Sequence, residues 1–136
     1  MSFDPYLHFQ GTCREAMTFY QTIFGGQLDL SPYADAPDAN ADMTTSGRIM
    51  HAALMLGDRM LLASDFPAGM AGDPQAAVSV SHMAPDVATG RQRFDQLAAG
   101  GVVIMAYAPT FWSDGFGMLK DRFGTHWMVS SPWRQS

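Results

Sequence analysis

The stretch "YLHFQGTCREAMTFYQTIFGG", Tyr6 to Gly26, decides the fold, because it runs a strand into a helix and then stops the helix abruptly. "YLHFQ" is short and aromatic-rich, as a strand is. Thr12 and Glu15 have the spacing of a capping box, so each can satisfy a free backbone N–H of the first helical turn. Ala16, Phe19, Tyr20, Ile23 and Phe24 fall at i, i+3, i+4, i+7 and i+8, which predicts one buried helical stripe. Gly25-Gly26 then ends the helix, since glycine accepts the left-handed conformation of a C-cap.

Downstream, "QLDLSPY" reads as a strand, and residues 34–47 as a polar, mobile loop rich in Ala, Asp and Pro. "RIMHAALMLGDRMLLASD" follows as two strands joined by Gly57-Asp58, a hairpin signal. After the loop "FPAGMAGDPQ" the order repeats. "AAVSVSHM" is a strand, and Asp86 caps a helix with Val87, Phe94, Leu97 and Ala98 on one face. Gly100-Gly101 ends that helix as Gly25-Gly26 ends the first, and "VVIMAYAP", "FGMLKD" and "HWMVSS" supply three more strands. Each half therefore reads βαβββ, which makes an α+β fold. The expected architecture is one domain, 1–136, of two modules, about 1–66 and about 75–133. Their curved mixed sheets would surround a concave cleft, with the helices outside.

Composition narrows the function. The 136 residues include 47% hydrophobic and only 15% charged residues, a globular balance with room for a real core. The net charge is −5 and the eight Lys and Arg are scattered, so no basic stripe exists to neutralise nucleic acid. No apolar run approaches a membrane span, and "MSFDPYLHFQ" lacks the basic start and apolar run of a signal peptide. One cysteine, Cys13, excludes an internal disulfide framework and a Cys-based zinc site, and a cytoplasmic address is the default expectation. Eleven methionines are many for this length; Met fills cores and permissive apolar pockets alike.

Three segments, "PYLHFQGTCREAMTFYQTIFGG", "MHAALMLGDRMLLASD" and "FWSDGFGMLKDRFGTHWMV", resemble the vicinal oxygen chelate superfamily of glyoxalase I, extradiol dioxygenases and antibiotic-resistance proteins. The chain looks most like the PhnB-like branch, whose members are often labelled 3-demethylubiquinone methyltransferase-like. That label finds no support in the motifs, because no G-x-G-x-x-G follows a strand and no alternating βα pattern builds a nucleotide-binding sheet. The resemblance implies a divalent metal held by four side chains, two from each module. Its ligand positions fall here on Pro5, on Gln75 and its alanine neighbours, and on Met128, with Asp65 the nearest carboxylate on the remaining strand. Pro, Ala and Met cannot assemble a chelate of oxygen and imidazole ligands, so neither a metal nor another cofactor is expected. The resemblance also implies a homodimer.

His126 shares a strand face with Met128. It is either a cleft residue able to hydrogen-bond a ligand or exchange its proton, or a turn-proximal histidine without a role. His51, central in "IMHAALM", is expected to be covered on both faces, with Asp65 a possible partner; it is either structural or an acid–base group. His8 lies opposite the Pro5 face and ranks lower, and His82 has no evident role. The catalytic candidates are thus His51, His126 and Asp65. The expected ligand-lining residues are Leu7, Phe9, Phe111, Trp112, His126 and Met128. Cys13 is expected to be a small structural residue, although a helix N-terminus can activate a thiol. Asp121 and Gly124 read as hairpin chemistry, and Asp114 as a turn residue. The expected function is binding of an apolar or aromatic small molecule without a metal. The alternatives are a metal-dependent lyase or dioxygenase with relocated ligands, and a non-catalytic sequestering protein of the resistance type.

Overall fold

The computed structural model describes residues 1–135, excepting the side chains of Asp42 and Thr44. Two compact units divide at Pro74 and Gln75, and each carries a four-stranded sheet and one twelve-residue helix. Unit one runs β1 (Tyr6–Phe9), α1 (Cys13–Phe24), β2 (Gln27–Pro32), a 3-10 turn (Tyr33–Asp35), a short α2 (Ala41–Thr45), β3 (Ile49–Leu56) and β4 (Arg59–Asp65). Unit two runs β5 (Ser79–Met83), α3 (Val87–Ala98), β6 (Val102–Ala108), β7 (Phe116–Lys120) and β8 (His126–Ser130). The sheet orders are β1-β4-β3-β2 and β5-β8-β7-β6. In each, the first strand lies parallel to the last and the other pairs are antiparallel. The βαβββ module thus occurs twice, in an α+β fold. No helix among the described residues is long and apolar enough to cross a membrane.

The Gly-Gly pairs do more than end helices. Gly25 takes φ 76° and donates its N–H to Gln21 O, as a C-cap does. The second glycine is needed for a different reason: a Cβ on Gly26 would strike the Met55 carbonyl oxygen. A Cβ on Gly101 would strike the Lys120 carbonyl oxygen in the same way. Met55 pairs with Gln27 and Lys120 with Val102, so both glycines let the chain pass close over its neighbouring strand as it enters the sheet.

Four local expectations are corrected. The Thr12 side chain makes no cap hydrogen bond, so the capping box does not form. The buried face of α1 is Cys13, Ala16, Met17 and Tyr20, while Phe19 and Ile23 stay half-buried. The stripe keeps its helical period but is rotated toward the N-terminal residue Cys13. In α3, Phe94 and Leu97 are buried as expected, with Gly90 beside them, whereas Val87 is exposed and Ala98 half-buried. The expected loop at 34–47 contains α2, whose start is capped by the Asn40 side chain accepting from Met43 N at 2.9 Å.

Candidate functional site

Strand alternation gives each sheet two unlike faces. In unit one, Leu7 pairs with Ala63 and Phe9 with Asp65, and Ala63 pairs onward with Ala52. All five are buried. Asp65 on this face bonds the start of α1, so this is the face the helix covers. Leu7 and Phe9, at 6% and 3% exposed, are therefore core residues rather than residues of an open face, contrary to the expected lining. The opposite face carries Tyr6, His8, Ser64 and His51. Pro5, just before β1, alternates with Leu7 and Phe9, which lie on the helix-covered side. The usable signal was the alternation itself, apolar Leu7 and Phe9 against polar Tyr6, His8 and Gln10.

His51 is exposed, not covered on both faces, and its partner is Tyr6 rather than Asp65. Its Nδ1 shares a 3.1 Å hydrogen bond with the Tyr6 hydroxyl. His8 Nδ1 stands 3.4 Å from Ser64 Oγ, and its ring stacks on Phe66 at 5.4 Å between centroids. Tyr6 sits between the two imidazoles, 5.1 Å from His8 and 5.8 Å from His51.

Asp65 is buried at 1% exposure with both carboxylate oxygens engaged. Oδ1 accepts from Gly11 N and Cys13 N, each at 2.9 Å, and Oδ2 accepts from Ile49 N at 2.8 Å. Its own backbone carbonyl accepts from the Tyr33 hydroxyl at 2.9 Å. Burial, then the Asp65 charge, push the Tyr33 hydroxyl above its usual range. Asp65 is thus an architectural carboxylate that closes α1, β3 and β4 together, not an acid–base group or an orienter of His51. Cys13 beside it is fully buried, and burial followed by the Asp65 charge pushes its thiol up to about 12, with Arg14 opposing. Such a thiol stays protonated and inert.

In unit two the helix-covered face carries Trp127, Val129, Leu119 and His82. His82 Nε2 lies 2.9 Å from Arg93 Nη1 of α3. Burial, then the Arg93 charge, lower its pKa to about 4. His82 therefore has a structural role that spacing did not disclose: a neutral ring accepting from a guanidinium. The open face carries His126 and Met128 on β8, opposite Lys120 and Met118 on β7. Met118 pairs onward with Met105, and Phe116 packs edge-on against Trp112 at 5.2 Å. Phe111 extends the aromatic group, edge-on to Trp112 at 4.8 Å, and is largely exposed. His126 and Met128 share the open face as the spacing predicts. The Nδ1 atom of His126 is buried without a hydrogen-bond partner among the described residues.

The other sequence candidates are scaffold. Asp121 Oδ1 accepts from Phe123 N and Thr125 N, and Oδ2 from Trp127 Nε1 at 2.9 Å, which ties the β7–β8 turn to the core. Gly124 has φ 95°, the left-handed turn position. Asp114 is paired with Arg134 at 2.6 Å on the surface.

A divalent metal of the superfamily type does not fit these residues. The Asp65 oxygens face backbone N–H donors, and among the described residues no three His, Cys, Asp or Glu side chains converge as a ligand set.

Comparison with known proteins gives a consistent picture. The family model for 3-demethylubiquinone-9 3-methyltransferase matches residues 1–130. Protein YjdN of Escherichia coli K12 is 32% identical over 141 aligned positions, covering 96% of this chain and 95% of its own. The crystal structure of protein PA1353 from Pseudomonas aeruginosa superposes with a TM-score of 0.90 at 39% identity, covering 97% and 98% of the two chains. The putative 3-demethylubiquinone-9 3-methyltransferase, PhnB protein, from Bacillus cereus gives 0.77 at 22% identity, covering 96% and 99%. A glyoxalase/bleomycin resistance protein/dioxygenase family enzyme from Burkholderia phytofirmans gives 0.63 at 15% identity, covering 95% and 98%, a likeness of fold.

Proposed function

The chain belongs to the 3-demethylubiquinone-9 3-methyltransferase family, with the PhnB-like fold of glyoxalase/bleomycin resistance/dioxygenase proteins, and from that premise we propose that it binds an apolar or aromatic small molecule on the open face of its second sheet, without a metal. The observation that carries the reading is the His126 Nδ1 atom, buried without a partner among the described residues on a face that also carries Met118, Met128 and Lys120, with Phe116 packed against Trp112. A buried polar atom without a partner costs stability, and a ligand hydrogen-bonding to it removes that cost. Methionine and aromatic side chains around it offer an adaptable apolar surface. If a reaction follows binding, His126 is the acid–base candidate.

Replacing His126 by Leu separates the readings. Loss of binding of an aromatic fluorophore, together with unchanged or higher thermal stability, supports the ligand site. Unchanged binding in the variant removes it. Family membership does not bring methyl transfer with it, because fold and kinship do not establish chemistry. Titration with S-adenosylmethionine tests this, and saturable micromolar binding would overturn the present reading.

The metal-dependent alternative would need His51, Asp65 and His126 as ligands, and the engagement of Asp65 by three backbone donors weighs against it. Metal analysis of protein purified without a chelating tag decides the matter: stoichiometric Fe, Mn, Ni or Zn would restore the lyase or dioxygenase reading. Tight binding of an aromatic drug without turnover would favour a sequestering protein instead.

A cytoplasmic homodimer completes the proposal. Its support is the edge strand β6, where Val102, Val103, Ile104 and Met105 are all about half exposed or more, on both sides of the strand. An apolar edge without proline or charge pairs readily with another strand, and a twofold axis is the commonest way to supply one. Sedimentation as a monomer at micromolar concentration would remove this part.

A further inference from the structure

A separate group of side chains on the open face of the first sheet has the parts of a proton relay. Phe66, His8, Tyr6 and His51 form an unbroken run of rings with successive centroids 5.4, 5.1 and 5.8 Å apart. His8 and Phe66 are near parallel at 20°, so that end of the run is already a stacking platform. At the other end, the Tyr6 hydroxyl and His51 Nδ1 are joined at 3.1 Å. Tyr6 and His51 are both exposed, and neither ring nitrogen Nε2, of His8 or of His51, has a protein hydrogen-bond partner among the described residues. Nothing in the packing of unit one requires this arrangement, because the core lies on the other face with Leu7, Phe9 and Ala63.

We propose that Tyr6 and His51 form a proton-relay pair for a planar ligand bearing an acidic hydroxyl, a phenol or enol, that stacks beside His8. With Nδ1 of His51 accepting from the Tyr6 hydroxyl, the exposed Tyr6 oxygen keeps the capacity to accept from the ligand O–H. The ligand proton passes to the Tyr6 oxygen as the Tyr6 proton passes to His51 Nδ1. The products are the ligand oxyanion, a neutral tyrosine and an imidazolium, so protons and charge balance without an external reactant. The imidazolium forms on an exposed ring, where water stabilises its charge. An imidazole is a modest base, so the ligand hydroxyl must itself be acidic, and this sets the ligand class. Ordinary phenols are too weakly acidic, whereas nitrophenols and enols of 1,3-dicarbonyl compounds are matched. Tyr6 touches the ligand, and His51 acts through Tyr6. The inference stands without the His126 reading.

The probe is 4-nitrophenol, whose visible absorbance reports its ionisation directly. At a pH where the free probe is mostly protonated, binding to the protein is expected to raise its phenolate absorbance. Tyr6→Phe and His51→Gln should bind the probe and lose this increase; Gln keeps a hydrogen bond to Tyr6 but cannot take its proton. His8→Ala should weaken binding about fivefold, in keeping with a lost stacking contact. Thr12→Ala, which removes no cap hydrogen bond and lies outside the ring run, should leave the absorbance change intact. All these residues are exposed, and circular dichroism checks that each variant is folded. Absence of binding, an unchanged signal in His51→Gln, or loss of the signal in Thr12→Ala would each overturn the relay.

Discussion

The two modules repeat one topology, yet they close the start of their helices in different ways. In α3 the job is local: Asp86 sits at the N-cap and accepts from Thr89 N at 2.7 Å, three residues on. In α1 the local candidates, Thr12 and Glu15, are unused for capping, and the orphan N–H groups of Gly11 and Cys13 go to Asp65, which lies 54 and 52 residues away on β4. The lesson concerns range. A cap made within one turn can be removed with little consequence for the sheet, whereas a cap donated by a strand makes helix, loop and sheet one unit.

The largest test of that contrast is Asp65→Ala. It leaves Gly11, Cys13 and Ile49 N–H groups without their acceptor, and a cost of about 4 kcal/mol in denaturant unfolding is expected, from about 1–3 kcal/mol for each buried donor left unpaired. A loss under 1 kcal/mol would mean that water or another group replaces the carboxylate, and the contrast would collapse.

A second test uses acid. The helix-covered face of unit one is apolar at Leu7 and Phe9 on its first strand, whereas unit two places His82 there. The folded pKa of His82 is lowered from 6.5 to about 4, first by burial and then by Arg93. The folded state therefore refuses a proton that the unfolded chain accepts. This stabilising term is fully present above about pH 6.5 and is lost as pH falls toward 4. The loss should be on the order of 1–2 kcal/mol, discounted for the partial exposure of the ring. His82→Gln should flatten the stability profile in that window, and an equally steep profile in the variant would assign the acid sensitivity elsewhere.

Asp86→Ala comes next and should destabilise measurably but much less than Asp65→Ala, with hydrogen exchange rising only in the first turn of α3. The Thr89 hydrogen bonds hold the Asp86 carboxyl below its usual range, so its contribution exists above that range and fades as acid protonates it. Thr12→Ala should have the smallest effect, within about 0.5 kcal/mol, because no cap hydrogen bond is lost. A cost like that of a true N-cap would show that Thr12 shares the work with Asp65.

Much of this architecture is legible from residues close in sequence. The glycine pairs, the Asp86 cap and the strand runs predict βαβββ twice, and the alternation of His126 and Met128 puts them together on one face. The candidate site was less legible. Assigning Leu7 and Phe9 to the lining relied on a family position at Pro5, and one residue of register inverts every side chain on a strand. His51 looked buried because its strand is apolar, but apolar neighbours do not say which sheet face a helix will cover.

What the sequence determined by itself were the periodic and short-range features: strand and helix runs, their stops and one local cap. These depend on backbone preferences acting over a few residues. Only the tertiary structure decided that Asp65 closes α1, that Tyr6 meets His51 across 45 residues, and that His126 Nδ1 is buried without a partner among the described residues. The reason is physical: hydrogen bonds between distant segments depend on sheet register and on which face the helix covers. Those are settled by packing the whole module.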